Sequence, residues 1–144
     1  MKLCMMVVMV LCVACLSGGG GGGGGGAFPA DWAGVWRASI VLALTQGAQT
    51  RTTTTTEAIP TAVTGLRWTW SREGACVLRW TLDGSRAVAD TPQRCTLTGD
   101  GGTVTLNLRA GDATLTGAEL AATLRWSVEG ATGAELLETI TARR

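Results

Sequence analysis

From Trp36 onward, apolar and polar residues alternate with a period of two. Trp36, Ala38, Ile40, Leu42 and Leu44 fall on one phase and Arg37, Ser39 and Thr45 on the other, with Val41 and Ala43 as apolar exceptions. The pattern returns at Leu66, Trp68 and Trp70; at Cys76, Leu78, Trp80 and Leu82; at Val104, Leu106 and Leu108; and at Leu120, Ala122, Leu124, Trp126 and Val128. The opposite phase carries Arg67, Thr69, Arg79, Thr81, Thr105, Asn107, Arg109, Thr123, Arg125 and Ser127. This is the period of strands with one buried face, and abundant Thr, Val and Trp agree with it.

Turn chemistry fixes the expected pairing, because a slip of one residue would send each Trp to the wrong face. A three-residue loop of Arg72, Glu73 and Gly74, with Gly74 left-handed, pairs Trp70 with Cys76, Trp68 with Leu78 and Leu66 with Trp80. Asp83-Gly84 turns the chain after Leu82 and puts Ala87 and Ala89 inside. Asp100-Gly101 aligns Leu97 with Val104 and Cys95 with Leu106. Gly111-Asp112 aligns Leu108 with Leu115, and Gly117-Ala118 brings Leu115 to Leu120. Thr91-Pro92 interrupts the intervening edge. The predicted fold is all-β, an up-and-down antiparallel meander. Closure into a small barrel of roughly 8–9 strands hides the edges that so many strands would otherwise expose.

Two segments leave alternatives open. Thr50 to Glu57 is strand-prone but polar on both phases, so it forms either an edge strand on the first strand or a flap. Glu135 to Ala142 offers Leu136, Glu138 and Ile140, or Leu137, Thr139 and Thr141, as its inner set. The reading preferred here lets the strand slide by one and leaves Glu138 in water. In the other, Glu138 lies inside beside Trp126, where a buried carboxylate needs an Arg partner or a raised pKa.

Ahead of the alternating region, Lys2 supplies one positive charge and Leu3 to Ala14 an apolar stretch. It is shorter than the roughly 20 residues of a spanning helix and of the size of a secretory signal core. A small residue, Ala14, stands directly before Cys15. Val13-Ala14-Cys15 resembles the lipobox of bacterial lipoproteins, with Cys12 where a Leu is usual; cutting before Cys12 would put bulky Leu11 at the cleavage position. The resemblance implies that Cys15 carries a diacylglycerol, that the leader is cut before it and that the new amino terminus is acylated. By the sorting habit of enteric lipoproteins, Leu16 directs the product to the outer membrane. The glycines from Gly18 to Gly26 cannot pack and remain a coil reaching about 20 Å. They lack the flanking strand and helix, and the Lys or Ser/Thr, of a phosphate cradle. The expected organisation is a signal peptide over 1–14, a lipidated Cys with a glycine tether over 15–27 and a single barrel domain over 28–144.

Composition narrows the chemistry. Cys76 and Cys95 are an even pair in an exported chain and read as a disulfide. The chain has no His, which removes the commonest general base, the commonest zinc ligand and every Ser-His or Cys-His nucleophile. No metal or cofactor is assigned. Twelve basic residues, all Arg except Lys2, stand against eleven acids without any basic block, so nucleic acid is not an expected partner. Acid pairs such as Glu135 with Glu138, or Asp83 with Asp90, read as turn and exposed strand-end residues, so no catalytic residue is assigned either.

Gly34-Val35-Trp36, at the start of the first long strand, resembles the G-x-W motif of lipocalins and other calycins. In that family the Trp plugs the closed end of a barrel and packs against an Arg from the last strand. The resemblance implies that role for Trp36, with Arg143 or Arg144 as its cation, and a lipocalin-like barrel whose open mouth holds apolar ligands. Trp36, Trp68, Trp70, Trp80 and Trp126, with Glu138, are then the candidate ligand-binding residues. Against this, aromatics at strand period are more readily read as core filling. The expected function is a non-catalytic binding module moored to the membrane by its lipid, possessing an apolar small molecule as its ligand. The alternative is an interaction protein of the envelope, such as a lysozyme or protease inhibitor.

Overall fold

The structure, a computed structural model, describes residues 27–72 and 76–144. The leader, Cys15 and the glycine run lie outside the described residues, as do Glu73 and Gly74, and with them the expected left-handed Gly74.

Among the described residues, a 3-10 turn at Ala30–Trp32 precedes nine antiparallel strands. These are β1 (Gly34–Gln46), β2 (Gln49–Thr64), β3 (Arg67–Arg72), β4 (Cys76–Asp83), β5 (Arg86–Ala89), β6 (Gln93–Gly99), β7 (Gly102–Thr116), β8 (Glu119–Val128) and β9 (Ala134–Arg143). Sequence neighbours pair from β1 to β5 and from β6 to β9, and β9 returns to β1, with Ile40 opposite Ile140. The early part of β7 pairs with β6, and its later part, from Asp112 to Thr114, pairs with β5. That second pairing closes an eight-stranded barrel and leaves β6 as one extra strand. The all-β meander read from the alternation is therefore the fold. Among the described residues no helix is long and apolar enough to cross a membrane.

The predicted inner phases hold through most strands: Trp36, Ala38 and Ile40, Trp68 and Trp70, Leu78 and Trp80, and Leu120, Ala122, Leu124 and Trp126 are all buried. Two hairpins have the expected register, with Leu97 opposite Val104, Cys95 opposite Leu106, and Leu115 opposite Leu120. The polar Thr50 to Glu57 segment is strand, part of β2, paired with β1 along its length.

Other pairings need correction. In β3 and β4, Trp70 faces Leu78 and Trp68 faces Trp80, two residues along from the expected register, and Arg72 belongs to the strand opposite Cys76. Leu66 sits exposed in the β2–β3 turn instead of opposite Trp80. Matching the inner phases across the turn had placed Arg72 in the loop, whereas it pairs with Cys76 and its side chain continues the inner phase of Trp68 and Trp70. After Leu82 the turn residues are Gly84 and Ser85, flanked by the Asp83–Arg86 pair, although Ala87 and Ala89 are inside as expected. Gly111-Asp112 is no turn. β7 runs straight through it, and an irregularity between Leu108 and Ala110 flips the inner phase from Leu106 and Leu108 to Gly111 and Ala113. A β-bulge of this kind achieves the phase change that the sequence had attributed to a hairpin. Gly111 is there for space: a Cβ would lie 2.7 Å from Leu124 Cδ2 and 2.8 Å from Ala89 Cβ.

The two ends of the barrel differ. At one, the turns β2–β3, β4–β5 and β7–β8 gather around the Ala30–Trp32 turn. Phe28 and Trp32 are buried there as a plug, and the Phe28 N–H donates to the Gly65 carbonyl. At the other end, the turns β1–β2, β6–β7 and β8–β9 surround a mouth.

Candidate functional site: the barrel mouth

The plugged end is filled by aromatic rings. Trp32 meets Trp68 edge-on with centroids 4.7 Å apart, Trp68 meets Trp70 at 4.9 Å, and Trp70 meets Trp80 at 4.6 Å. Such pairs contribute roughly 0.5–1.5 kcal/mol each beyond the area they bury. The Trp32 carbonyl ties the plug down, accepting from Trp68 Nε1 at 3.0 Å and from Thr61 Oγ1 at 2.8 Å. Trp36 Nε1 donates to Thr61 Oγ1 at 3.2 Å. The Arg144 guanidinium carbon stands 4.6 Å from the Trp36 ring centroid, in cation–π range, and Arg144 also donates to the Asp31 carbonyl. Arg143, the other arginine considered for that place, pairs with Glu119 at 2.7 Å.

The mouth holds a cavity of about 230 Å³ lined by Leu42, Leu97, Leu106, Leu136 and Trp126, by the Cys76–Cys95 pair and by Thr55, Glu57, Arg72 and Glu138. Of the six candidate ligand-binding residues, Trp126 and Glu138 line this cavity. Trp36, Trp68, Trp70 and Trp80 are fully buried in the filled half of the barrel and do not. Glu138 is buried, so the preferred reading that left it in water is corrected: β9 keeps Leu136, Glu138 and Ile140 on the inner phase, because Leu42 of β1 and Leu124 of β8 hold it in register from both sides.

Arg72 makes that burial possible. Its Nε donates to both Glu57 carboxylate oxygens at 3.0 Å, its Nη2 to Glu57 Oε2 at 2.9 Å and its Nη1 to Glu138 Oε2 at 3.1 Å. The three side chains retain 13%, 10% and 7% of their exposure for Arg72, Glu57 and Glu138. Burial alone pulls the Arg72 guanidinium down. Its hydrogen bond to Glu57, followed by the charges of Glu138 and Glu57, outweighs burial and holds it above its ordinary value. The ion pairs also stand where a ladder is missing. β2 pairs with β3 only from Thr61 to Thr64, and beyond Thr61 the Arg72–Glu57 contact joins the diverging strands.

Two strands away from that seam, beyond β3 and β4, β5 ends and β6 begins. The Gln93 side chain stands in for a strand there: its Oε1 accepts from the Arg79 N–H at 2.8 Å and its Nε2 donates to the Arg79 carbonyl at 2.9 Å. The Cys76–Cys95 disulfide, formed as expected with Cα atoms 5.2 Å apart, ties β4 to β6 on the cavity wall. Trp126 Nε1 is buried without an acceptor, like those of Trp70 and Trp80, but Trp126 alone of the three borders the cavity.

Arg72, Glu57 and Gln93 escaped the reading of the sequence. The available signal was phase: Arg72 follows Trp68 and Trp70 at intervals of two, and Glu57 precedes Ile59 by two. Of the acid pairs considered for catalysis, Asp83 and Asp90 bond to Arg86 and Arg67 near the surface, and Glu135 is exposed. No group of three or more His, Cys, Asp or Glu among the described residues is disposed to hold a metal ion. A wider depression of about 500 Å³ lies outside the barrel beside the β8–β9 turn, with lining that includes Asn107, Arg109 and Glu129. No protein-family model, curated protein or solved structure matches the chain.

Proposed function

We propose that this protein is a lipid-anchored envelope protein whose barrel is a non-catalytic binding module for a small, largely apolar ligand. The observation that carries the reading is the mouth cavity: four leucines and Trp126 as walls, with a few converging polar groups at one side, the composition of a small-molecule site. At about 230 Å³ it exceeds the roughly 150 Å³ that accepts benzene and falls below the roughly 300 Å³ at which drug-sized pockets begin. A ligand of about one ring fits it. Support for the lipocalin likeness comes from Arg144 over Trp36 at the plugged end. The described chain begins at that end, so a tether attached there leaves the mouth clear.

Titration of a one-ring apolar probe should change tryptophan fluorescence saturably through Trp126. Leu97→Trp, placed at the rim, should abolish the response while the melting temperature holds. A flat response over a broad panel of apolar compounds would overturn the reading. Intact mass of the membrane-extracted protein tests the anchor: the expected product starts at Cys15 and carries acyl chains, and a water-soluble product beginning beyond Cys15 would sink it.

A second reading, an interaction module of the inhibitor kind, has one observation in its favour. Residues 49–56 pair with β1 on one side and with no described strand on the other, so their outer edge can accept an added strand. That reading expects these amides to gain hydrogen-exchange protection in the presence of envelope proteins, and the mouth to stay silent in ligand titrations.

A further inference from the structure

We infer that the ring-sized group held in the mouth is a side chain of an extended peptide, which lies as an added strand along the outer edge of β2. The inference rests on the cavity reading above and adds the body that carries the ring. β2 pairs with β3 only from Thr61 to Thr64; beyond Thr61 it continues to Gln49, whereas β3 ends at Arg72. The β1–β2 turn leaves Gln46 paired with Gln49. Across a two-residue turn that pair is hydrogen-bonded, so Gln49, Arg51, Thr53 and Thr55 bond to β1. The alternate residues Thr50, Thr52, Thr54 and Thr56 turn their N–H and C=O away from it. No described strand meets them. Residues 52–56 are all Thr, without the charge, Pro or bulge that usually blocks an exposed edge.

This edge and the cavity share a wall. Thr55 lines the cavity from β2, and Leu97 of β6 lines it too. A strand added beside residues 50–56 continues the sheet, so its alternate side chains point into the barrel, and the one level with Thr55 enters the cavity. About 230 Å³ takes one ring, the size of a Phe side chain. Arg51 adds a second requirement. It shares the phase of Thr55, stands towards the rim opposite exposed Leu44, and makes no ion pair among the described residues. Its complement is a carboxylate four positions from the ring. The peptide therefore carries an apolar residue, three spacers and an acid when it runs antiparallel to β2. Main-chain bonds hold it and the cavity selects it. A second copy of this chain fits worse. Its own residues 49–56 offer no apolar side chain to the cavity, and antiparallel pairing of two β2 strands would turn the plugged ends, where the tethers attach, in opposite directions.

The probe is the peptide acetyl-Thr-Phe-Thr-Thr-Thr-Asp-Thr-amide, titrated calorimetrically into the full chain beside benzyl alcohol as the bare ring. With Phe level with Thr55 and Asp level with Arg51, it should bind about tenfold or more tightly than benzyl alcohol. The amides of Thr50, Thr52, Thr54 and Thr56 should gain hydrogen-exchange protection. Moving Phe by one position, to the outward phase, should weaken the peptide about tenfold, and Lys in place of Asp about two- to fivefold. Thr54→Pro removes an outward N–H and no bond to β1. It should bring the peptide down to the affinity of benzyl alcohol and leave benzyl alcohol within about twofold. A peptide no tighter than benzyl alcohol, equal binding of the shifted or Lys peptides, or tight peptide binding that survives in a folded Thr54→Pro would overturn the inference. The cavity reading then stands wherever benzyl alcohol still binds saturably. If neither probe binds, both fall. A native dimer that Thr54→Pro dissociates would assign the edge to a second copy and overturn the inference too. The ranking of peptides on the native chain decides the matter even where the variant does not fold.

Discussion

Arg72 occupies a position where the strand pattern would otherwise place an apolar side chain, and two carboxylates converge on it. Taking such charges out of water is costly, and removing one partner is worse than never having buried the group. Arg72→Met should therefore lower stability by about 3–5 kcal/mol in urea unfolding, since it leaves Glu57 and Glu138 facing a cavity without the guanidinium between them. The pH dependence follows from the raised value of Arg72. A basic group raised by folding stabilises fully below its unfolded value and loses that contribution only as pH climbs through the folded value, beyond the ordinary guanidinium range. The stability gap between the native chain and Arg72→Met should then stay constant from about pH 7 to about pH 10. A gap that closes in that interval would contradict the assignment. Gly111 makes a separate case. Gly111→Ala drives a methyl against Ala89 and Leu124 and should lower stability by about 1–3 kcal/mol, whereas Gly101→Ala, with open space around it, should change little. Arg72 and Gly111 were both misread as turn residues. A three-residue loop matched the inner phases around Arg72 and a Gly-Asp pair looks like a turn locally, and only contacts from distant strands reveal otherwise.

At the scale of elements, alternation told which face each strand buries but not which strand ends where. The Asp100-Gly101 and Gly117-Ala118 hairpins were legible because two-residue turns tie register to turn position. The change of partner along β7 was not, since it depends on β5 stopping at Ala89 and on a bulge. That junction is held by Gln93, whose amide takes over the pairing of Arg79. Gln93→Ala leaves the Arg79 N–H without its acceptor, while the Arg79 carbonyl still accepts from the Asp90 N–H at 2.9 Å, and thermal unfolding should register a loss of about 1–3 kcal/mol. The disulfide spans the same junction, joining residues 19 apart in sequence. Reduction should lower stability by roughly 3 kcal/mol on the chain-entropy account and, because Cys76 and Cys95 line the mouth, should also weaken binding of a one-ring probe.

In the molecule as a whole, filling and opening are segregated along the barrel axis. Large rings crowd the plugged end, while leucines and a charged triad surround the mouth. The sequence showed the tryptophans as one inner set. It did not show that they divide between the two ends, because strand phase carries no information on depth along the barrel. The triad itself draws on β2, β3 and β9, strands that no local pattern associates.

The pairing of β1 with β9 sets an order of events in time. Gln46 ends the first strand and Ala134 begins the last, so at ordinary rates of synthesis on the order of ten seconds separate their appearance. Throughout that interval one flank of β1 lacks the strand it hydrogen-bonds with in the finished barrel, and the nascent chain stays open to the wrong neighbour until β9 arrives.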